Sequence, residues 1–70
     1  MKLNYGEALK QQRTLMGYTQ EQLSKATGIA QPNISAWENN VYAPSMDFCI
    51  ILADFYGISI DELVGRDFPK

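Results

Sequence analysis

Seventy residues with a net charge of −2 and an apolar share of 46% describe one small domain, rich enough in apolar side chains for a core and too short for a second. The absence of histidine and the single cysteine leave almost nothing from which to build a metal site, a nucleophile–base pair or an internal disulfide, so neither an enzyme nor a cofactor is expected. No signal-peptide pattern opens the sequence and no apolar run is long enough to span a membrane, so the expectation is a soluble chain in a reduced, cytoplasmic setting with no membrane partner.

The charge is unevenly spread. Residues 1–40 carry Lys2, Lys10, Arg13 and Lys25 against Glu7, Glu21 and Glu38, a net +1. Residues 41–70 carry Arg66 and Lys70 against Asp47, Asp54, Asp61, Glu62 and Asp67, a net −3. An acidic total disfavours phosphate binding, but local field matters more than the total, and the first half is the less acidic one.

A first helix is predicted over about 4–16, with Asn4 as its cap. Tyr5, Leu9 and Met16 follow helical spacing and define its inner face. Arg13 lies four residues after Leu9 on that face, where a charge is costly unless paired. Gly17 ends the helix, and Tyr18 starts the next packing contact. A second helix, over about 19–27, opens on a T-x-x-Q capping box from Thr19 to Gln22 and turns Leu23 inward. Gly28 marks a tight turn, with Ile29 as an apolar plug.

A third helix is predicted over about 31–39, with Pro32 in its first turn. Ala30 cannot cap it. Ile34 and Trp37 fall on one side, leaving Gln31, Pro32, Asn33, Ser35 and Ala36 with no core to face. That outer side reads either as solvated surface or as a probe for base edges. Glu38 sits at the margin of the inner face and is the expected partner of Arg13, since each otherwise lacks one. Residues 39–44 form a loop, with an asparagine pair and Pro44 as its turn chemistry.

A fourth helix follows the cap Ser45, runs to about Tyr56 and stops at Gly57. Its inner stripe is read as Met46, Cys49, Ala53 and Tyr56, flanked by Ile50 and Leu52, with Cys49 a small buried hydrophobe. A second capping box, Ser59 to Glu62, opens a fifth helix over about 60–64, and residues 65–70 are a tail. No repeat, linker or strand-like alternation is present, so the fold class is all-α, five helices in one domain over 1–70. Phe48, Ile51, Phe55, Ile60 and Val64 are more large apolar groups than one small core needs. They either shield one another within a monomer or form a dimer interface, and a homodimer is the favoured reading.

The pattern L-K-x-x-R-x-x-x-G-Y-T-Q-x-x-L-S-x-x-x-G-I-x-Q-x-x-I-S-x-W-E-N, then P-S, then G-I-S-I-D-E-L, resembles the phage repressor/Cro-type helix-turn-helix family over about 5–64. The resemblance implies a compact repressor-like fold, with helices 2 and 3 as the helix-turn-helix and helix 3 in the major groove of double-stranded DNA. It implies base contacts from Gln31, Pro32, Asn33 and Ala36, with Gln31 the first reading residue. It places Gln20 at a phosphate while bracing the recognition helix, puts Ser35 and Asn39 near phosphates, and makes Arg13 and Glu38 a buried ion pair. Thr19, Asn40 and Tyr42 complete the candidate backbone contacts. Gln20 also has a local use at the cap, and Tyr42 also reads as packing on its loop. Ala36 stands where the family often carries Arg or Lys, Ala30 where a capping Ser or Thr is usual, and Thr27 where an apolar residue is usual.

The expected function is therefore a sequence-specific transcriptional regulator, a repressor of bacterial or phage type, binding a near-palindromic operator as a homodimer. Two alternatives stand beside it: the antitoxin of a toxin–antitoxin pair, holding its partner on helices 4 and 5, or a protein-interaction module of the same fold without DNA binding.

Overall fold

The computed structural model describes residues 4–65; the tail at 66–70 and Lys2 lie outside the described residues. Five helices follow in order: α1 Tyr5–Leu15, α2 Gln20–Thr27, α3 Gln31–Glu38, α4 Met46–Tyr56 and α5 Ile60–Val64. No strand occurs among the described residues, and no helix there is long and apolar enough to cross a membrane.

Local chemistry sets most of the boundaries. The Asn4 side chain accepts from the Glu7 N–H at 2.8 Å and starts α1. Both capping boxes form, Thr19 with Gln22 and Ser59 with Glu62, each satisfying two otherwise orphaned N–H groups. At the end of α1, the Tyr18 N–H donates to the Arg13 carbonyl and the Gly17 N–H to the Thr14 carbonyl. Gly17 takes φ +81°, a left-handed conformation that glycine adopts without steric cost.

The helices pack α1 against α3 and α5, α2 against α3 and α4, and α4 against α5. The core they enclose is Leu9, Leu23, Ile29, Ile34, Trp37, Cys49, Leu52, Ala53, Tyr56 and Leu63. Ile29, the plug of the α2–α3 turn, is 2% exposed. Two expected inner residues lie elsewhere. Met16 is 45% exposed because α1 ends at Leu15 and the turn at Gly17 directs the chain away; Tyr18 packs on the core instead. Met46 is 63% exposed. It opens α4, and side chains tilt toward a helix's N-terminus, so it points past the core while Leu52 joins Cys49, Ala53 and Tyr56 in the buried row.

Glycine at position 6 is required by packing. A Cβ there would lie 2.7–2.8 Å from the Glu38 and Trp37 carbonyl oxygens and the Asn40 side chain. The first turn of α1 thus rests directly on the end of α3. The Gly6 N–H donates to Asn40 Oδ1 at 3.1 Å and ties the two together.

Candidate nucleic-acid interface

The α2–α3 turn is closed by its own polar groups. Gly28, at φ +78°, donates its N–H to the Ser24 carbonyl. The Ser24 hydroxyl donates to the Ile29 carbonyl, and the Ile29 N–H donates to Thr27 Oγ1. Thr27 therefore serves the turn through its hydroxyl. With Ile29, Ile34 and Trp37 buried beneath it, α3 has a fixed orientation, and its other side faces out.

That outer side holds Gln31 and Pro32, both exposed, and Asn33, Ser35 and Ala36, all half-buried. At 3.6 residues per turn, Pro32, Ser35, Ala36 and Asn39 lie opposite Ile34 and Trp37, while Gln31 and Asn33 flank them on either side. The face carries no formal charge. Ala30 supplies no side-chain cap, so the N-terminal end of α3 keeps part of its positive end charge open.

The far end of α3 is anchored by a buried charge cluster. Arg13 Nε donates to Glu38 Oε2 at 2.7 Å, and its Nη2 donates to Oε1 at 2.9 Å, a bidentate pair. Nη1 donates to the Tyr18 carbonyl at 2.8 Å. The two side chains are 10% and 5% exposed. Hydrogen bonding to Glu38 holds the guanidinium pKa above its ordinary value, although burial acts in the opposite direction. Gln20 completes the cluster: its Nε2 donates to Glu38 Oε1 at 3.1 Å, so the first residue of α2 braces the last of α3. Thr19 is exposed and engaged in its capping box.

The chain leaves α3 through a Schellman turn. Asn40 takes φ +58°, its N–H donates to the Trp37 carbonyl, and the Val41 N–H donates to the Ala36 carbonyl. The Asn39 amide donates back to the Ser35 carbonyl at 2.9 Å. This turn folds the loop along α3 and carries Tyr42 to the helix's first turn, where its hydroxyl donates to Asn33 Oδ1 at 2.9 Å. Of the candidate contact residues, Asn33 and Tyr42 are thus joined, Ser35 and Asn39 are joined, and Asn40 is turned toward α1. Sequence reasoning did not anticipate the Tyr42–Asn33 and Asn40–Gly6 bonds. Each spans the loop or the chain, with no spacing signal beyond an isolated glycine in a helix's first turn.

The apolar candidates divide. Phe48, Ile60 and Val64 are half-buried against the core, with the Phe48 ring 5.1 Å from that of Trp37. Ile51 and Phe55 are exposed, and Phe55 also contacts the Tyr18 and Tyr56 rings. Met46 and Ile50 are exposed as well. These four surround Asp47 and Asp54 on the outer side of α4. Cys49 is buried, and burial pushes its thiol pKa up, away from reactivity. Among the described residues, no group of histidine, cysteine or carboxylate side chains is arranged to hold a metal.

Comparison with known proteins agrees with this architecture. The profile of a family described as helix-turn-helix matches residues 9–63. The chain is 32% identical over 65 residues to the HTH-type transcriptional regulator ImmR of Bacillus subtilis, covering 93% of this chain and 51% of that one. It is 37% identical over 60 residues to the cryptic phage CTXphi transcriptional repressor RstR of Vibrio cholerae, covering 86% and 54%. The chain thus spans about half the length of these two regulators. The crystal structure of a transcriptional regulator from Listeria innocua superposes with a TM-score of 0.80 at 21% identity, covering all of this chain and 65% of that one.

Proposed function

Because the chain belongs to the phage-repressor type of helix-turn-helix family, we propose that it is a sequence-specific DNA-binding transcriptional regulator, a repressor acting in the cytoplasm and without catalytic function. The observation that carries this is the outer face of α3. Its helix is locked by Ile34 and Trp37 beneath and by Arg13–Glu38–Gln20 at its end, yet it presents only amides, a hydroxyl and small apolar groups. Such groups suit base edges: an amide can pair with adenine N6 and N7, and Pro32 and Ala36 suit a thymine methyl. Phosphates fall to Gln20, Ser35, Asn39 and the ends of α2 and α3.

The regulator acts as a homodimer on a near-palindromic operator, its half-sites about one helical turn (~34 Å) apart. The exposed side chains of α4, Ile50, Ile51 and Phe55 among them, supply the apolar part of the contact. One copy offers few cations, so joining two raises affinity through effective concentration.

Selection from random duplex DNA at low salt tests the reading. Enrichment of a spaced palindrome is expected, and Gln31→Ala weakens binding to that site by about 1–3 kcal/mol with relaxed preference at one base. A chain that enriches nothing, or a variant that binds as the parent does, refutes it.

A further inference from the structure

We propose that Tyr42, outside the recognition helix, is a positioning residue that sets which base Asn33 reads; the inference rests on the DNA-binding role given above. Asn33 sits in the first turn of α3, half-buried, on the flank away from Gln31. Its amide oxygen accepts from the Tyr42 hydroxyl at 2.9 Å. Tyr42 is held there by structure on both sides. The Schellman turn at Asn40 and Val41 fixes the loop to Ala36 and Trp37, and the Trp37–Phe48 ring contact fixes the start of α4 against α3. Asn33, Trp37, Tyr42 and Phe48 together line a shallow cleft beside the helix.

An unconstrained asparagine reads adenine by turning its oxygen to N6 and its nitrogen to N7. The bond to Tyr42 uses one of the two lone pairs on that oxygen and holds the amide in one orientation, which leaves the second lone pair and the Nδ2 donor together for the base. An acceptor beside a donor matches adenine, whose N6 donates and whose N7 accepts, and sets a lone pair against guanine O6. The Tyr42 hydroxyl therefore fixes Asn33 as an adenine reader.

The test is positional base preference, measured by selection and by direct titration of single-base variants of the enriched site. The wild type, Tyr42→Phe, Asn33→Ala and the double variant are compared, with thermal unfolding confirming that each is folded. The wild type should prefer adenine over guanine at one position in each half-site, and Asn33→Ala should abolish that preference. Tyr42→Phe keeps the ring and frees the amide to turn, so the adenine-to-guanine ratio at that position should fall about three- to tenfold, with other positions unchanged. In the Asn33→Ala background, removing the hydroxyl should change nothing further. An unchanged ratio in Tyr42→Phe overturns the proposal, as does a preference for guanine or cytosine at that position in the wild type. A uniform loss across all bases also overturns it, because it would place the hydroxyl on a phosphate. Failure of the wild type to enrich any site removes the DNA-binding reading together with this one, whereas an enriched site that is indifferent to Tyr42 removes this one alone.

Discussion

Arg13 and Glu38 are the residues on which the domain depends most directly. A pair this dry has lost its hydration on both sides, so removing one partner strands the other. Arg13→Ala is expected to cost about 3–5 kcal/mol, and Arg13→Met with Glu38→Leu far less, as read by chemical denaturation. Tyr56 presents the opposite case. Its hydroxyl is buried without a hydrogen-bond partner among the described residues. Tyr56→Phe should therefore raise stability by about 1 kcal/mol, a gain of roughly 4–8 °C in Tm. Burial pushes the Tyr56 pKa up from 10.0 to about 12. A raised folded pKa favours the protonated form, so through this group stability does not change with pH below 10 and falls as pH rises toward 12, where the unfolded chain ionises first. The wild type should accordingly lose about 1–2 kcal/mol relative to Tyr56→Phe across that interval, and parallel alkaline denaturation curves for the two proteins would contradict the assignment.

At the scale of the element, α3 is stable for reasons outside itself. It is eight residues long, lacks a side-chain cap and has no ion pair along its outer face. A helix of this length does not persist alone in water. It is held by Ile34 and Trp37 beneath it, by Glu38 in the charge cluster and by the Schellman turn at its end. The missing cap separates stability from function. Ala30→Asp should restore the cap and stabilise the fold by about 0.5–1 kcal/mol. The same carboxylate would stand at the end of α3 proposed to approach the phosphates, so DNA affinity should fall several-fold. A variant gaining both stability and affinity in paired thermal and DNA titrations would show that this end of α3 does not meet DNA.

At the scale of the whole molecule, charge sets two opposite salt dependences. Of the three cations among the described residues, Arg13 is committed to Glu38, and Lys25 lies 3.8 Å from Glu21 at the surface, leaving Lys10. Few counterions are displaced by such a protein, so the log–log salt slope of DNA binding should be shallow, about −2 to −4 for a dimer. Self-association should respond the other way. The outer side of α4 sets Asp47 and Asp54 among Met46, Ile50, Ile51 and Phe55, so two like faces repel until salt screens them. Sedimentation at rising salt should strengthen the dimer while DNA titrations weaken. Weaker dimerisation at high salt would instead place the contact on a surface of mixed charge.

The sequence by itself determined the elements, because their signals are local: the capping residues Asn4, Thr19, Ser45 and Ser59, the left-handed Gly28 and Gly57, and the spacing of Ile34 and Trp37. It also determined the Arg13–Glu38 pairing, since two charges on apolar faces need each other. What lay beyond it depends on which surfaces meet. Phe48, Ile60 and Val64 look like surplus apolar groups in one dimension, and only packing puts them against the core while Met46 and Ile50 face out. Gly6 shows the same limit. Helix propensity alone would favour alanine there by about 1 kcal/mol, whereas the close approach of α3 leaves no room for a Cβ. The Tyr42–Asn33 bond, too, exists because the Schellman turn that ends α3 folds the chain back on its own helix. Propensity and capping act over three or four residues; contact between elements is set by the packing of all five.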